Sequence, residues 1–194
     1  MSKQIKTNVE ITYKKRNKAT VFWRGLLVFP VLVFIGAFAV QSNAGFAAGF
    51  IIVPALLALV FREVYPSYLL TFNHEFLELQ TRVVAYVLLL TDDYPSIERN
   101  KNIEVIFPEI KGGKSLNRWL PLVKWFLSIP LIVVGLIYAL IAIGMTLIAW
   151  VMTFITGKYP KWAGNFVLKT VQFWNRVNGY AFLLVSDKYP SFAL

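Results

Sequence analysis

Two long uncharged tracts constrain this chain more than any other feature of its sequence. Gly25 to Phe61 contains no charged residue over 37 positions, and Trp125 to Thr156 contains none over 32. Apolar stretches of more than about 18 residues with few charges are typical of membrane segments. The composition agrees, because 57% of the residues are hydrophobic and only 15% are charged. The sequence therefore predicts an integral membrane protein.

The sequence also repeats itself, which predicts two tandem repeats over residues 1–98 and 99–194. The offset is 94 residues at the start, rises to 100 in the apolar tracts and returns to 94 after them, with a slip of one residue near the end. Many identities in one order make chance similarity a poor explanation. The matching pairs include Asn8 and Asn102, Arg24 and Lys124, Tyr65 and Tyr159, Arg82 and Arg176, Tyr86 and Tyr180, and Asp92 and Asp187.

Several segments of the second repeat resemble a known family. They are Arg118–Trp125, Ile129-Pro130, Thr156–Pro160, Arg176 with Tyr180, and Asp187–Phe192. These segments are similar to family 4389 of the domains of unknown function, whose members are small bacterial membrane proteins that in some cases carry the module twice. The first repeat departs from the family, because Arg62-Glu63-Val64 precedes its Tyr-Pro where the family favours Thr-Gly-basic. The resemblance implies a fold and a location but no activity.

The length of each tract predicts a helical hairpin. As one straight helix the second tract would be about 48 Å long, against a hydrocarbon core of roughly 30 Å. We expect hairpins over 20–61 and 120–156, either transmembrane or re-entrant, with turns at Gln41–Gly45 and Ala142–Gly144. The predicted fold class is an all-α integral membrane protein of two tandem repeats, each made of a short strand, a hairpin and an interfacial amphipathic helix.

The distribution of charge predicts the topology. All 20 Lys and Arg residues lie outside the two tracts, with seven before the first, eight between them and five after the second. By the positive-inside rule, the N-terminus, the central segment and the C-terminus share the cytoplasmic side. The first twenty residues are polar and basic and do not resemble a cleavable signal. We therefore expect a multi-pass protein of the bacterial cytoplasmic membrane.

A basic cluster precedes the first tract. At roughly 1 kcal/mol for each basic residue near the surface, it could bind anionic lipid headgroups. The equally weighted alternative is that these residues only fix the topology. Nucleic acid is not an expected partner, since no recognised nucleic-acid motif is present. The residues of this cluster are Lys14, Lys15, Arg16, Lys18 and Arg24.

An amphipathic helix is predicted after each Tyr-Pro, over 67–91 and 162–186. In the second repeat the polar residues recur at steps of three and four from Asn165 to Gly179, so they share one helical face. We expect these helices to lie in the membrane interface, with their apolar faces toward the acyl chains. In the first repeat the same spacing predicts an ion pair between Glu78 and Arg82.

Two arginines on these helices are the main candidates for a functional role. Arg82 and Arg176 each lie four residues before a Tyr and ten or eleven before an Asp. Either the Arg binds a lipid phosphate while the Tyr lies at headgroup level, or the Arg pairs with the Asp of its own Asp-x-Tyr-Pro turn; we favour the pairing. The candidate residues are Arg82, Tyr86, Asp92, Tyr94, Pro95, Arg176, Tyr180, Asp187, Tyr189 and Pro190.

Two short alternating runs precede the apolar tracts. Val9, Ile11 and Tyr13 alternate with polar residues, and Ile103, Val105 and Phe107 do so less cleanly. Each run resembles a half-buried strand. The two strands could pair with each other or join a partner's sheet, or the runs could be extended linkers.

No active site is evident in the sequence. There is no cysteine, and His74 is the only histidine, so we expect no metal site and no cofactor. The aspartates of the turns lack a second catalytic group and a pocket. An enzyme would have to use His74 with Glu75 and Glu78 and is the third hypothesis. The leading one is a non-enzymatic accessory or scaffold protein that interacts with lipids or with a partner membrane complex, as a homo-oligomer or as a subunit. The alternative is a small oligomeric carrier or channel.

Overall fold

The computed structural model describes residues 3–41, 50–98 and 102–194. Most of this chain is helical. The elements in chain order are β1 (Lys6–Val9), α1 (Lys18–Leu27), α2 (Phe29–Gln41), α3 (Val53–Arg62), α4 (Ser67–Val87), β2 (Ile103–Ile106), α5 (Leu120–Thr156) and α6 (Lys161–Ala181).

The second apolar tract forms one continuous helix, so the hairpin predicted over 120–156 is wrong. All 37 residues of α5 are helical, and the turn expected at Ala142–Gly144 does not form. A turn needs residues that leave the helical conformation readily, and this segment offers only Gly144. One glycine inside a helix costs about 1 kcal/mol relative to alanine, which is too little to break it. In the first tract α2 ends at Gln41 and α3 begins at Val53, and the turn predicted at Gln41–Gly45 lies outside the described residues except for Gln41. The hairpin predicted over 20–61 is also wrong, because the tract begins beside the end of α5, where Lys18 bonds to Ile155, and finishes beside its start, where Arg118 bonds to Val60.

The two short strands pair with each other, which confirms one of the three alternatives for them. β1 runs antiparallel to β2, with Lys6 opposite Ile106 and Val9 opposite Ile103. The side chains alternate as a pleat requires. Thr7 and Val105 are buried, whereas Lys6 and Ile106 are exposed.

Helix α6 is covered on two opposite faces. One face carries Phe173 and Val177, which pack against Leu131 of α5. The other face carries Gln172 and Asn175, which donate hydrogen bonds to the carbonyl oxygen and the hydroxyl of Thr7 in β1. At 100° per residue these two sets lie on opposite sides of the helix. Helix α6 therefore lies between α5 and the sheet.

Helix α4 has the same arrangement. Val83 and Leu79 of α4 pack against Val28, which lies between α1 and α2, and against Val31 of α2. On its opposite face, Glu78 accepts a hydrogen bond of 3.3 Å from the backbone N–H of Val105 in β2. Ala55 and Leu59 of α3 also pack against α4. The molecule thus has three layers: α1, α2, α3 and α5, then α4 and α6, then the sheet.

These contacts correct the environment predicted for the two amphipathic helices. Helices appear after both Tyr-Pro sequences and begin within one residue of the predicted starts, at Ser67 and Lys161, but they end at Val87 and Ala181, before the predicted ends at 91 and 186. Their apolar faces, however, are largely covered by the chain's own outer helices. The predicted Glu78–Arg82 pair is present at 3.6 Å, but both side chains are buried and not on a solvated surface.

The outer layer presents an apolar face, by which we mean the exposed hydrophobic side chains of α1, α2 and α5. Most of the large exposed hydrophobic residues belong to these helices; Phe126 is 73% and Leu140 70% exposed. Two helical stretches, Lys18–Phe38 and Leu120–Thr156, are long and apolar enough to cross a membrane. Such a surface is far more apolar than a water-facing one.

Small residues set the distance between α5 and α6. Ser128, Ala142 and Ala149 are buried at helical spacing along α5. Gly135 belongs to the same stripe, and a Cβ atom there would lie 2.9 Å from the ring of Trp174. Small residues allow two helix backbones to approach closely. The large side chains of α5 are consequently left on its outer side.

Candidate functional site

A buried lysine lies at the start of α5. Lys124 is 0% exposed, and its ammonium group donates hydrogen bonds to Asp187 Oδ1 at 2.7 Å and to the carbonyl oxygen of Ser186 at 2.8 Å. The ring of Tyr180 lies 5.2 Å from Nζ, within the range of a cation–π contact. Asp187 also accepts a hydrogen bond from the backbone N–H of Asn117, just before the helix. We call Lys124, Asp187 and Tyr180 the C-terminal cation cluster.

A similar arrangement lies at the start of α1. Arg24 donates a hydrogen bond of 2.6 Å to Asp92 Oδ1 and another of 3.0 Å to the carbonyl oxygen of Thr91. Its guanidinium lies 4.3 Å from the ring of Tyr86. Asp92 also accepts a hydrogen bond from the backbone N–H of Asn17.

The N-terminal cluster contains a second cation. Arg16 is buried, pairs with Asp92 and donates a hydrogen bond to the carbonyl oxygen of Leu89. Its guanidinium lies 5.2 Å from the ring of Tyr159. We call Arg16, Arg24, Asp92 and Tyr86 the N-terminal cation cluster. Removing one partner of a buried ion pair costs about 3–5 kcal/mol, so both clusters are structural requirements.

These contacts revise the lipid role predicted for the basic segment. Arg16 and Arg24 are buried and paired, so they do not reach lipid headgroups. Lys18 donates a hydrogen bond of 2.7 Å to the carbonyl oxygen of Ile155 at the end of α5. Lys14 and Lys15 are exposed and remain the candidates for anionic lipid.

The arginines of α4 and α6 also have partners other than the predicted ones. Arg82 donates to the carbonyl oxygens of Ser96, at 2.8 Å, and of Glu98. Arg176 donates to the carbonyl oxygen of Ala193 at 2.9 Å, and burial lowers its pKa. Each arginine thus fastens the segment that follows its Asp-x-Tyr-Pro turn, but through backbone carbonyls and not through the Asp. The predicted pairing of Arg82 with Asp92 is therefore wrong, because Asp92 pairs with Arg16 and Arg24.

The aromatic candidates divide into buried and exposed pairs. Tyr86 and Tyr180 are 1% and 2% exposed, which removes them from headgroup contact, and burial raises the pKa of both. Tyr94 and Tyr189 are more exposed and meet them edge-on, with ring centroids 6.1 and 5.5 Å apart. The prolines that follow, Pro95 and Pro190, are buried.

Reciprocal hydrogen bonds join the two halves of the chain. The hydroxyl of Tyr65 donates to the carbonyl oxygen of Leu183 at 2.9 Å, and that of Tyr159 donates to the carbonyl oxygen of Leu88 at 3.2 Å. Desolvation raises the pKa of each of these two tyrosines to about 12. Tyr65 therefore fastens the segment after α6, and Tyr159 fastens the segment after α4.

A second reciprocal contact joins the starts and ends of the outer helices. Arg118, before α5, donates a hydrogen bond of 2.5 Å to the carbonyl oxygen of Val60 near the end of α3. The contact between Lys18 and Ile155 is its counterpart, made by the first half with the end of α5. Cations are favourable at helix C-termini, where carbonyl groups lack helical partners.

Residues 94 apart in the chain meet at the centre of the molecule. Asn175 donates a hydrogen bond of 3.0 Å to the hydroxyl of Thr81. Val9 lies opposite Ile103 in the sheet. These two contacts define a line that runs from the sheet between α4 and α6, and we call it the central axis.

A cavity of about 490 Å³ lies on this axis, and we call it the axial groove. It is bounded by α2 on one side and α5 on the other, with α4 and α6 as its floor. None of the described residues that line it is charged. Its walls are apolar, whereas its floor carries amides and hydroxyls, including Gln80, Thr81, Asn175 and Asn178.

The groups named for a possible enzyme are engaged in the fold. His74 Nε2 lies 2.6 Å from the carbonyl oxygen of Val105, and its ring lies edge-on to Phe107. Glu78 contacts the backbone of β2. Within residues 3–41, 50–98 and 102–194, no group of three or more His, Asp or Glu side chains could hold a metal ion.

Sequence reasoning missed Lys124 and the capping asparagines. Asn17 accepts a hydrogen bond of 3.0 Å from the N–H of Ala19, and Asn117 accepts one of 2.9 Å from the N–H of Trp119. Such side chains satisfy the free N–H groups at a helix start. The repeat offset could have identified them. Asn17 matches Asn117, and Arg24 matches Lys124, each at an offset of 100 residues.

Comparison with known proteins gives one match. No curated protein and no solved structure matches the chain. Residues 118–193, which include α5, α6 and the C-terminal cation cluster, match the family model described as Domain of unknown function (DUF4389), and this confirms the resemblance seen in the sequence for that part of the chain.

Proposed function

We propose that this protein is a non-enzymatic accessory or scaffold protein of the bacterial cytoplasmic membrane, with its apolar face buried in one leaflet. The observation that carries the proposal is the asymmetry of the three layers. Large hydrophobic side chains cover the outer helices, and the sheet on the opposite side exposes Lys6, Asn8 and Glu104. A slab with one apolar and one polar side is suited to a membrane surface.

The packing of α5 favours an orientation parallel to the membrane plane. α5 is roughly 55 Å long, α6 packs along it, and β1 lies on the far side of α6. If α5 crossed the bilayer upright, α6 and the polar sheet beyond it would be immersed in hydrocarbon. Open strands do not occur there, because their backbone groups would lack partners. With α5 in the membrane plane, the sheet remains in water, and we propose this placement instead of the multi-pass one expected from the sequence.

We further propose that the two halves are repeats related by a pseudo-two-fold axis along the membrane normal. The paired positions on the central axis and the reciprocal tyrosine bonds support this symmetry. In this arrangement the N-terminus, the central segment and the C-terminus are cytoplasmic. Lys14 and Lys15 then lie close to anionic headgroups.

The partner side of the proposal rests on the polar layer. β1 and β2 form a two-stranded sheet, and its exposed side chains lie on the side away from the apolar face. We propose that this surface binds a cytoplasmic or membrane partner, which can be a second copy or a larger complex. The alternative of a carrier or channel stays a prediction.

Depth measurements test the membrane placement. The chain contains no cysteine, so single cysteines can be introduced without background. Phe126, Leu140 and Ile155 are exposed along α5 and can each be replaced by a spin-labelled cysteine. Equal immersion depths for the three labels are expected. A steady change in depth from residue 126 to residue 155 would contradict the in-plane orientation.

Purification in mild detergent tests the scaffold role. Lys6→Glu changes the exposed sheet surface, and Lys161→Glu makes the same charge change at the start of α6. We expect a stable partner to co-purify with the wild type and with Lys161→Glu but to be lost from Lys6→Glu. If the wild type purifies as a monomer with no protein partner, the scaffold role is wrong.

A further inference from the structure

We propose that the axial groove binds an uncharged acylglycerol, such as diacylglycerol, drawn from the surrounding leaflet. The acyl chains would leave between α2 and α5, and the glycerol end would lie against the floor. This inference rests on the proposed membrane placement. It adds a ligand class to that placement.

The mouth of the groove is continuous with the apolar face. Leu32 of α2 and Ile143 of α5 line the cavity, and both are about half exposed. Val84 and Val87 of α4 also line it and are partly exposed within it. With the apolar face in the leaflet, this opening meets acyl chains. Burial of each methylene group there is favourable by about 0.8 kcal/mol.

Contacts join the outer helices after and before the part of α5 that lines the groove, Ala139–Ile143. After it, Phe22 of α1 packs against Trp150 and Phe154 of α5, with ring centroids 6.3 and 5.7 Å apart. Before it, Arg118 donates a hydrogen bond to the carbonyl oxygen of Val60 in α3. The groove's volume of about 490 Å³ lies within the range of roughly 300–1,000 Å³ found for small-ligand sites.

The floor selects against a charged lipid. Thr81 and Asn175 close it by their mutual hydrogen bond, so a headgroup cannot pass to the sheet side. A phosphate inside would need cationic partners, and none of the described lining residues is charged. The side-chain amide of Asn178 has no hydrogen-bond partner within the part of the chain that the structure describes. It is therefore available to an ester carbonyl or a glycerol hydroxyl.

Photocrosslinking in vesicles tests the proposal. The full chain is placed in phosphatidylglycerol–phosphatidylethanolamine vesicles with a minor fraction of either of two probes, diacylglycerol or phosphatidylglycerol, each with a diazirine near its ester groups. Adducts are mapped by mass spectrometry. We expect the diacylglycerol probe to label Val84, Val87 and Trp174 in the floor and wall. The phosphatidylglycerol probe should label Phe126 and Leu140 on the apolar face but not the groove.

Two substitutions and one control sharpen the test. Ala139→Trp fills the groove and should lower diacylglycerol adducts there by about tenfold, the effect of excluding about two methylene groups. Asn178→Leu removes the free amide and should lower them by about fivefold. Leu140→Trp places the same side chain outside the groove and should leave the diacylglycerol adducts in the groove unchanged.

The outcomes separate this inference from the membrane placement. Adducts on Phe126 and Leu140 without any on Val84, Val87 or Trp174 would overturn the groove proposal alone. Equal labelling of the groove by both probes would overturn the selectivity for uncharged lipid. If neither probe labels α5, the membrane placement itself is wrong.

Discussion

The outer helices of the two halves differ in the middle and agree at their ends. In the C-terminal half, α5 runs unbroken for 37 residues, whereas in the N-terminal half α2 ends at Gln41 and α3 begins at Val53. At their starts both have a capping asparagine and a cation paired with an aspartate. At their ends both have a residue in the left-handed conformation, Glu63 and Gly157.

This difference shows which parts of the outer layer the fold specifies. The middle contributes apolar surface, and many apolar sequences can supply that. The ends must satisfy free backbone groups and buried charges, which only particular residues can do. We therefore expect substitutions at the ends to cost far more than substitutions in the middle.

The largest effect should come from removing the aspartates. Asp92→Asn leaves Arg16 and Arg24 buried without a countercharge, and Asp187→Asn leaves Lys124 in the same state. Each should lower the free energy of unfolding by about 3–5 kcal/mol, with Asp92→Asn the more severe because two cations lose their partner. Denaturant unfolding in detergent measures both. Glu109→Gln, on an exposed carboxylate, is the control and should cost little.

Alkaline pH should destabilise both halves through Tyr65 and Tyr159. Their pKa rises from 10.0 to about 12 on folding, because burial disfavours the tyrosinate. The contribution of these two tyrosines to the free energy of unfolding is fully present below pH 10. It is lost as the pH rises toward 12, because the unfolded chain releases these protons first. Each tyrosine contributes up to about 3 kcal/mol to this loss. Unfolding measured against pH should show it, and Tyr65→Phe and Tyr159→Phe should each flatten the curve; an unchanged curve would contradict the assignment.

A glycine substitution distinguishes the continuous helix from a hairpin. Gly144 lies in the middle of α5, and an added Cβ atom would meet no described atom within 4 Å. Gly144→Ala should therefore raise the free energy of unfolding by about 0.5–1 kcal/mol, as in any exposed helix interior. Gly135→Ala is the contrast and should destabilise, because its Cβ would lie 2.9 Å from Trp174. A loss of stability in Gly144→Ala would favour a turn at this point.

The smallest effect should come from making the helix ends alike. Glu63 has a φ of 54°, a conformation that favours glycine, and Gly157 occupies the corresponding end with a φ of 69°. Glu63→Gly should stabilise the chain by about 1 kcal/mol or less, because it relieves strain but loses an exposed ion pair with Arg118. Thermal unfolding measures it. Gly157→Glu should have the opposite sign.

Local features of the sequence predicted much of the fold. The helices after Tyr65-Pro66 and Tyr159-Pro160 begin where expected, because proline is tolerated at a helix start and punctuates the pattern before it. The strands pair as one of the proposed alternatives. These features depend on a few neighbouring residues, and the sequence displays them directly.

Long-range packing could not be predicted in the same way. The hairpin over 120–156 followed from assuming that an apolar helix stands upright in the bilayer, but α6 packs along α5 and the sheet lies beyond α6. Sequence reasoning missed Ser128, Gly135 and Ala142, which recur at steps of seven and are buried, although such a stripe of small residues is typical of a close helical partner. Asp92 was assigned to Arg82 on sequence proximity, whereas its partner Arg24 lies 68 positions away.

Labelling at the two ends of α5 tests the account most directly. Lys114 and Lys158 are exposed residues just before and just after this helix, and each can be replaced by cysteine in a chain that has none. In oriented membrane vesicles, a membrane-impermeant maleimide should react with both cysteines from the cytoplasmic side. Reaction of the two cysteines from opposite sides would mean that α5 crosses the bilayer, and it would contradict the in-plane layer on which the proposed function depends.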